Sequence, residues 1–272
     1  MEIKEHPRAL TESRPLRPEW ARREGLVYGH WDAVLSLGSS CAIAFHLHRM
    51  GLVTRTGPFG WLGAQDAEHV AHLLRVRFDG FMDRSSLSVM GEHNGYWKVG
   101  DEEHRLFTLH DFPMVGRRSR PLWRPSLIER VRRLGDRLVE PIWRWLPMLR
   151  FPGPGDVTTP LPGFPEFRRR NRRRVLRFLS AATVPGPVLF IRRVREEREA
   201  AVIQSALKDL RGGRPTELLI LGEGDRYRED WEVAGIRTAA LPPADPASPE
   251  SWRGRAEDWD RIFDGCRVGA TS

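Results

Sequence analysis

Two short apolar runs separated by one amphipathic segment restrict the possible folds of this chain more than any other feature. Val188-Leu189-Phe190-Ile191 lies in a run over 187–192, and Leu218-Leu219-Ile220-Leu221 completes a second run over 217–221. Residues 196–210 between them repeat apolar side chains at helical spacing. A third strand is expected over 235–241, with Ile236, Thr238 and Ala240. Strand–helix–strand alternation with apolar strands implies a parallel sheet covered by helices. The expected class is α/β: a mostly parallel sheet flanked by helices, Rossmann-like in the C-terminal third, with a helical or irregular insertion. Trp252, Trp259, Ile262 and Phe263 would dock the tail on this body.

At 272 residues the chain can bury a full core. No apolar run approaches the roughly 20 residues that span a bilayer, and residues 1–24 are charged and contain prolines, without a signal-type apolar stretch. A cytoplasmic protein is expected, and two distant cysteines, Cys41 and Cys266, suit a reducing compartment. The net charge of +8 invites a nucleic-acid reading. However, only three of the 44 basic residues are lysines, a skew that fits coding bias better than a selected polyanion surface. No specific nucleic-acid partner is expected. In the densest run, 168–174, the spacing of Phe167, Asn171, Val175 and Phe178 turns those side chains inward and leaves the arginines solvated or paired with acids.

Residues 1–30 read as an N-terminal arm and 31–272 as a single α/β domain, interrupted by an inserted segment at about 113–165 rich in Pro, Arg and Trp. Within the insertion Leu127, Val131, Leu134 and Leu138 mark a helix that Pro141 ends or kinks. Residues 142–151 mix apolar bulk with arginine; a lid packed on the body is favoured over membrane contact.

Chemistry concentrates at Val34-Leu35-Ser36-Leu37-Gly38-Ser39-Ser40-Cys41. A strand over 33–37 stops at Gly38, and a helix over 41–50 opens on Cys41, with Gly51 at its C-terminal cap. Unpaired N–H groups and the helix dipole there favour anions and should lower the thiol pKa. The backbone around Gly38, Ser39 and Ser40 could also bind an oxyanion. A cysteine nucleophile needs a base, and all nine histidines lie at or before position 110. His46 points away from Cys41 around the helix; His69 and His72, on a helix over 64–78, lack the companions of a metal site. His6 and His30 lie in the lead-in, and His93 and His104 in loop-like stretches. His110 ends a strand over 105–109, where parallel sheets open their ligand crevice, and would emerge beside Cys41 if the two strands were neighbours. Asp111 could orient His110 only if the strand had ended; otherwise it caps a turn or binds substrate. Cys41 also suits a small buried hydrophobe. Gly222-Glu223-Gly224-Asp225 lacks the remainder of a phosphate loop and reads as a turn.

Several pieces occur together in order: Ser36-Leu37-Gly38-Ser39-Ser40-Cys41 with Ala44, then Leu52, then Pro58-Phe59-Gly60-Trp61-Leu62 and His110-Asp111-Phe112. Arg169 or Arg170, Arg173 or Arg174, Arg177 and Phe178 follow, and then Val188-Leu189-Phe190-Ile191-Arg192. Over about 33–193 the chain resembles a bacterial family of unknown function described as papain-like cysteine peptidases. Gly60 stands where that family has aspartate. The resemblance implies Cys41 as nucleophile and His110 as general base. The expected activity is hydrolysis of a peptide, another amide, an ester or a glycoconjugate, without metal or cofactor. Asp111 would take a secondary polar role, and Gly38, Ser39, Ser40, Phe59 and Trp61 would surround the oxyanion and substrate. The alternative is a non-catalytic module that binds an anionic or sugar-linked ligand in surface-polysaccharide assembly. A serine esterase built on Ser39 or Ser40 ranks last.

Overall fold

The computed structural model describes residues 27–64, 66–114, 161, 163–194, 196–223, 234–242 and 251–269. The arm up to residue 26, the helix expected in the insertion, the 142–151 segment, Gly224 and Asp225 lie outside the described residues.

The chain enters with β1 (Gly29–Trp31) and β2 (Ala33–Ser36), turns into α1 (Cys41–Arg49), and continues through β3 (Leu62–Ala64) and α2 (Ala67–Arg75). A three-strand run follows: β4 (Leu87–His93), β5 (Tyr96–Asp101) and β6 (Leu106–Pro113). Then come α3 (Phe164–Ala182), β7 (Val188–Arg193), α4 (Glu197–Arg211), β8 (Thr216–Glu223), β9 (Ile236–Leu241), α5 (Ala256–Phe263) and β10 (Cys266–Val268).

The parallel sheet is present, in the order β2-β7-β8-β9. Its central strands are buried on both faces. Val188, Phe190, Leu218 and Ile220 enter one core with α2, α3 and α4, while Leu189, Ile191, Leu219 and Leu221 enter another with α1 and α5. This two-sided burial is the reason β7 and β8 read as continuous apolar runs. A capping box of Glu196 and Glu199 starts α4. Gly212, at φ 60°, ends it in the left-handed conformation that glycine adopts without cost. Trp259, Ile262 and Phe263 of α5 are buried against the second face, so the tail does dock. Among the described residues no helix is long and apolar enough to cross a membrane.

The fold is nevertheless mixed, not parallel throughout. A second sheet of equal strand number is antiparallel, in the order β3-β6-β5-β4. It packs into the first core through Leu87, Val99, Leu106 and Phe112. His93 thus belongs to a strand, not to a loop. β4 has no apolar run because Ser88, Gly91 and Glu92 fall among its apolar residues, and a register shift between Val89 and Gly91 interrupts its alternation. The β4–β5 turn uses Asn94 and Gly95, both at positive φ, the chemistry a two-residue hairpin requires. The strand of His110 lies in this second sheet and runs on to Pro113, so it is not a neighbour of β2.

α3 joins the two sheets, packing against both β2 and β6. Phe167, Asn171 and Phe178 face inward as their spacing predicts. Phe167 meets Phe112 of β6 with ring centroids 4.6 Å apart. Three turns later Phe178 meets Phe59 at 5.7 Å and Phe190 of β7 at 6.4 Å.

Candidate active site

The turn before α1 is held by three serines and an arginine. Gly38 and Ser39 both adopt positive φ, 79° and 71°. A side chain at Gly38 would press on the Phe59 carbonyl oxygen at 3.0 Å, so both conformation and space select glycine there. Ser39 stays in this disfavoured region because its Oγ accepts the Arg193 N–H at 2.9 Å, tying the turn to the end of β7. Ser36 Oγ accepts the Gly38 N–H at 3.2 Å. Ser40 is the N-cap of α1, its Oγ accepting from Ala42 at 3.2 Å. Arg192, buried at the tip of β7, donates to the Leu37 carbonyl at 2.6 Å, and burial lowers its pKa to about 10. The Ser39 and Ser40 hydroxyls thus anchor backbone, a structural duty that does not favour either as nucleophile.

Cys41 occupies the first position of α1 and is partly exposed. Ala44 and His48 follow at i+3 and i+7, on the same helical face. That face meets the loop over 56–61: Gly60 packs on Ala44, and His48 Nε2 lies 3.0 Å from Thr56 Oγ1. Trp61 Nε1 donates to the same hydroxyl at 3.3 Å. The indole held in this way contacts His110 edge-on, ring centroids 6.1 Å apart. The loop is therefore in contact with the Cys41 face of α1 on one side and with His110 on the other.

Gly60 is explained by its neighbour. A Cβ at this position would overlap the Thr56 Cγ2 methyl. The Thr56 methyl thus occupies the space next to Gly60, and its hydroxyl orients Trp61.

His110 sits on a bulge. Trp97 pairs with Phe112 and Val99 with Thr108, so Leu109, His110 and Asp111 together oppose Lys98. The ring of His110 lies among those of Trp61, His93 and Tyr96, the last two at 6.2 Å. Asp111 does not hold the imidazole. Its Oδ2 accepts from Thr108 Oγ1 at 2.7 Å, and its Oδ1 faces Arg170 at 2.7 Å and Arg174 at 3.5 Å. The arginine run of α3 is therefore partly acid-paired, and its acid is a predicted site residue.

The ionisation state reverses one expectation. Burial raises the Cys41 thiol above its ordinary pKa of 9.0, and the residue's own backbone N–H offsets only part of this. Desolvation outweighs the helix N-terminus here. Burial lowers His110, and the charge of Asp111 opposes that shift. Both groups are consequently neutral at pH 7. Cys266, 3% exposed, is pushed up to about 11, chiefly by burial.

Two other histidines, His46 and His104, have structural partners. His46, 1% exposed, stacks on Trp259 at 4.5 Å and bonds the Arg253 carbonyl at 3.0 Å; burial lowers its pKa to about 4. His104 forms a buried pair with Asp101 at 2.9 Å. Burial alone would lower His104, but the Asp101 hydrogen bond and charge, with Glu103 and Asp83, raise it overall. Sequence reasoning missed Thr56, His93 and Tyr96 as site neighbours. The Asn94-Gly95 hairpin signal between His93 and Tyr96 would have placed the last two together.

The model of a family described as "Putative papain-like cysteine peptidase" matches residues 32–212. The chain belongs to this family. The matched region runs from β2 through α4 and contains the Cys41 turn, the 56–61 loop, His110 and the arginines of α3. A 55-residue stretch is 34% identical to an uncharacterized protein of Acanthamoeba polyphaga mimivirus, covering 20% of this chain and 25% of that protein. No solved structure matches.

Proposed function

We propose that this member of the papain-like family is a cysteine hydrolase that cleaves an amide bond in a peptide, with Cys41 as nucleophile and His110 as general base. The supporting observation is the 56–61 loop, which lies against both the Cys41 face of α1 and the ring of His110.

Because burial raises the thiol and lowers the imidazole, the resting site holds a neutral pair instead of a thiolate and imidazolium. Neutral His110 takes the S–H proton as sulfur attacks the carbonyl carbon, and the oxygen becomes an oxyanion. The Cys41 N–H, which lies against its own sulfur, would donate to that oxyanion. Collapse breaks the C–N bond, His110 returns the proton to the leaving amine, and a thioester remains on Cys41. Water then attacks the thioester, giving its proton to His110, which returns it to sulfur as the acid leaves. Asp111 supports His110 through charge, and Trp61 and Tyr96 border its ring.

The test is cleavage of a tryptic peptide library, with new N-termini read by mass spectrometry. The wild-type chain generates new termini; C41A and H110A, folded by circular dichroism, do not. Wild-type termini no more numerous than those of C41A overturn the reading.

A further inference from the structure

Beyond the reaction type, the structure points to a substrate class, and this inference rests on the hydrolase reading above: we propose that Arg170 and Arg174 select an acyl donor carrying a carboxylate, such as an acidic peptide.

The two guanidinium groups lie one helical turn apart on α3 and share a single carboxylate, Asp111, 6% exposed. They meet the same oxygen of it, Oδ1, because Oδ2 is taken by Thr108. Neither arginine therefore forms the two-pronged pairing that a guanidinium offers a carboxylate. Arg174 is only 16% exposed, and burial lowers its pKa, the penalty expected of a cation held with insufficient counter-charge. The charges of Arg170 and Arg177 press on it further, while Asp111 is the opposing acid.

Among the described residues Asp111 is thus outnumbered by the cations around it, and positive charge is in surplus. A carboxylate is the chemistry the pair already holds. The location makes the surplus relevant to substrate. Asp111 adjoins His110 in the same bulge and acts on its pKa, and α3 packs against both β2, which leads to Cys41, and β6. A carboxylate bound on the open side of Arg170, 34% exposed, would lie beside the strand that presents the base.

The test uses two peptidyl vinyl sulfone probes that differ only in Glu against Gln at the residue next to the warhead. Second-order labelling of Cys41 is followed by mass spectrometry on the full chain. A preference of about tenfold for the Glu probe is expected, the scale of one charge-assisted contact in a partly wet site. It should fall to about 1 in R170Q, persist in R170K, and shrink as salt rises from 0.05 to about 0.5 M. R174Q is read in parallel with thermal melting, so that loss of fold is separated from loss of preference. Equal wild-type rates overturn this inference alone, as does a preference that R170Q and a folded R174Q both retain. No labelling of Cys41 by either probe overturns the hydrolase reading and this inference with it.

Discussion

Replacing Gly60 by alanine tests how the loop between the two halves of the site is built. The new Cβ would overlap the Thr56 methyl, while its contact with Ala44 Cβ at 3.4 Å is ordinary. Thr56 can relieve the overlap by rotating, but its hydroxyl then leaves both Trp61 Nε1 and His48 Nε2. Overpacking costs about 1–3 kcal/mol, and each hydrogen bond lost adds about 1 kcal/mol. G60A should therefore destabilise by roughly 3 kcal/mol when these contributions are combined. Thr56→Ser removes the methyl and keeps the hydroxyl, at a cost of about 1 kcal/mol. In the double variant the overlap is gone, so G60A/T56S should match T56S alone. The coupling is then about 2 kcal/mol or more, against the ~0.5 kcal/mol scatter of independent sites. Urea unfolding followed by tryptophan fluorescence measures all four proteins. Additive costs would refute the assignment of Gly60 to the space taken by Thr56.

Alkylation of Cys41 by iodoacetamide should keep rising beyond pH 9, since its thiol lies above the ordinary value; a rate plateau below pH 7 would indicate a preformed ion pair instead. Burial holds His46 at about 4 against an ordinary 6.5. The folded state thus resists a proton that the unfolded chain accepts, so stability is intact above pH 6.5 and falls as pH drops towards 4. His46 accounts for about 3 kcal/mol of that loss, and H46Q should show a correspondingly flatter acid limb in urea titrations from pH 7 to 4. Asp111→Asn leaves Arg174 without its counter-charge and should cost about 2 kcal/mol, after allowing for the exposure of Arg170. It should also lower the His110 pKa in an NMR titration, and an unmoved His110 resonance would remove Asp111 from the electrostatics of the site.

The parallel half of the fold was legible because burial on both faces writes a continuous apolar run, as in Leu218-Leu219-Ile220-Leu221. The antiparallel half was not, because Ser88, Gly91 and Glu92 interrupt any such run in β4, and its signal was a turn, Asn94-Gly95. The Gly38-Ser39-Ser40-Cys41 turn was legible, since glycine, cap and helix start are local properties. The partners of Asp111 were not, because Arg170 and Arg174 arrive from 59 and more residues away on a helix whose charges read in sequence as solvated or paired with acids that the sequence does not name. The thiol pKa was misread for a related reason. A helix N-terminus is visible in sequence, whereas the burial that outweighs it arises only in the packed fold.

The central claim, that Cys41 is a nucleophile served by His110, is tested most directly within one molecule that carries its own control. Cys266 is buried at the end of the chain, with its thiol near 11. With a peptidyl vinyl sulfone at pH 7.5, Cys41 should be labelled at least about 100-fold faster than Cys266, and H110A should remove most of that advantage, on the scale a general base supplies. Equal labelling of the two cysteines, or a Cys41 rate that H110A leaves unchanged, would contradict the claim.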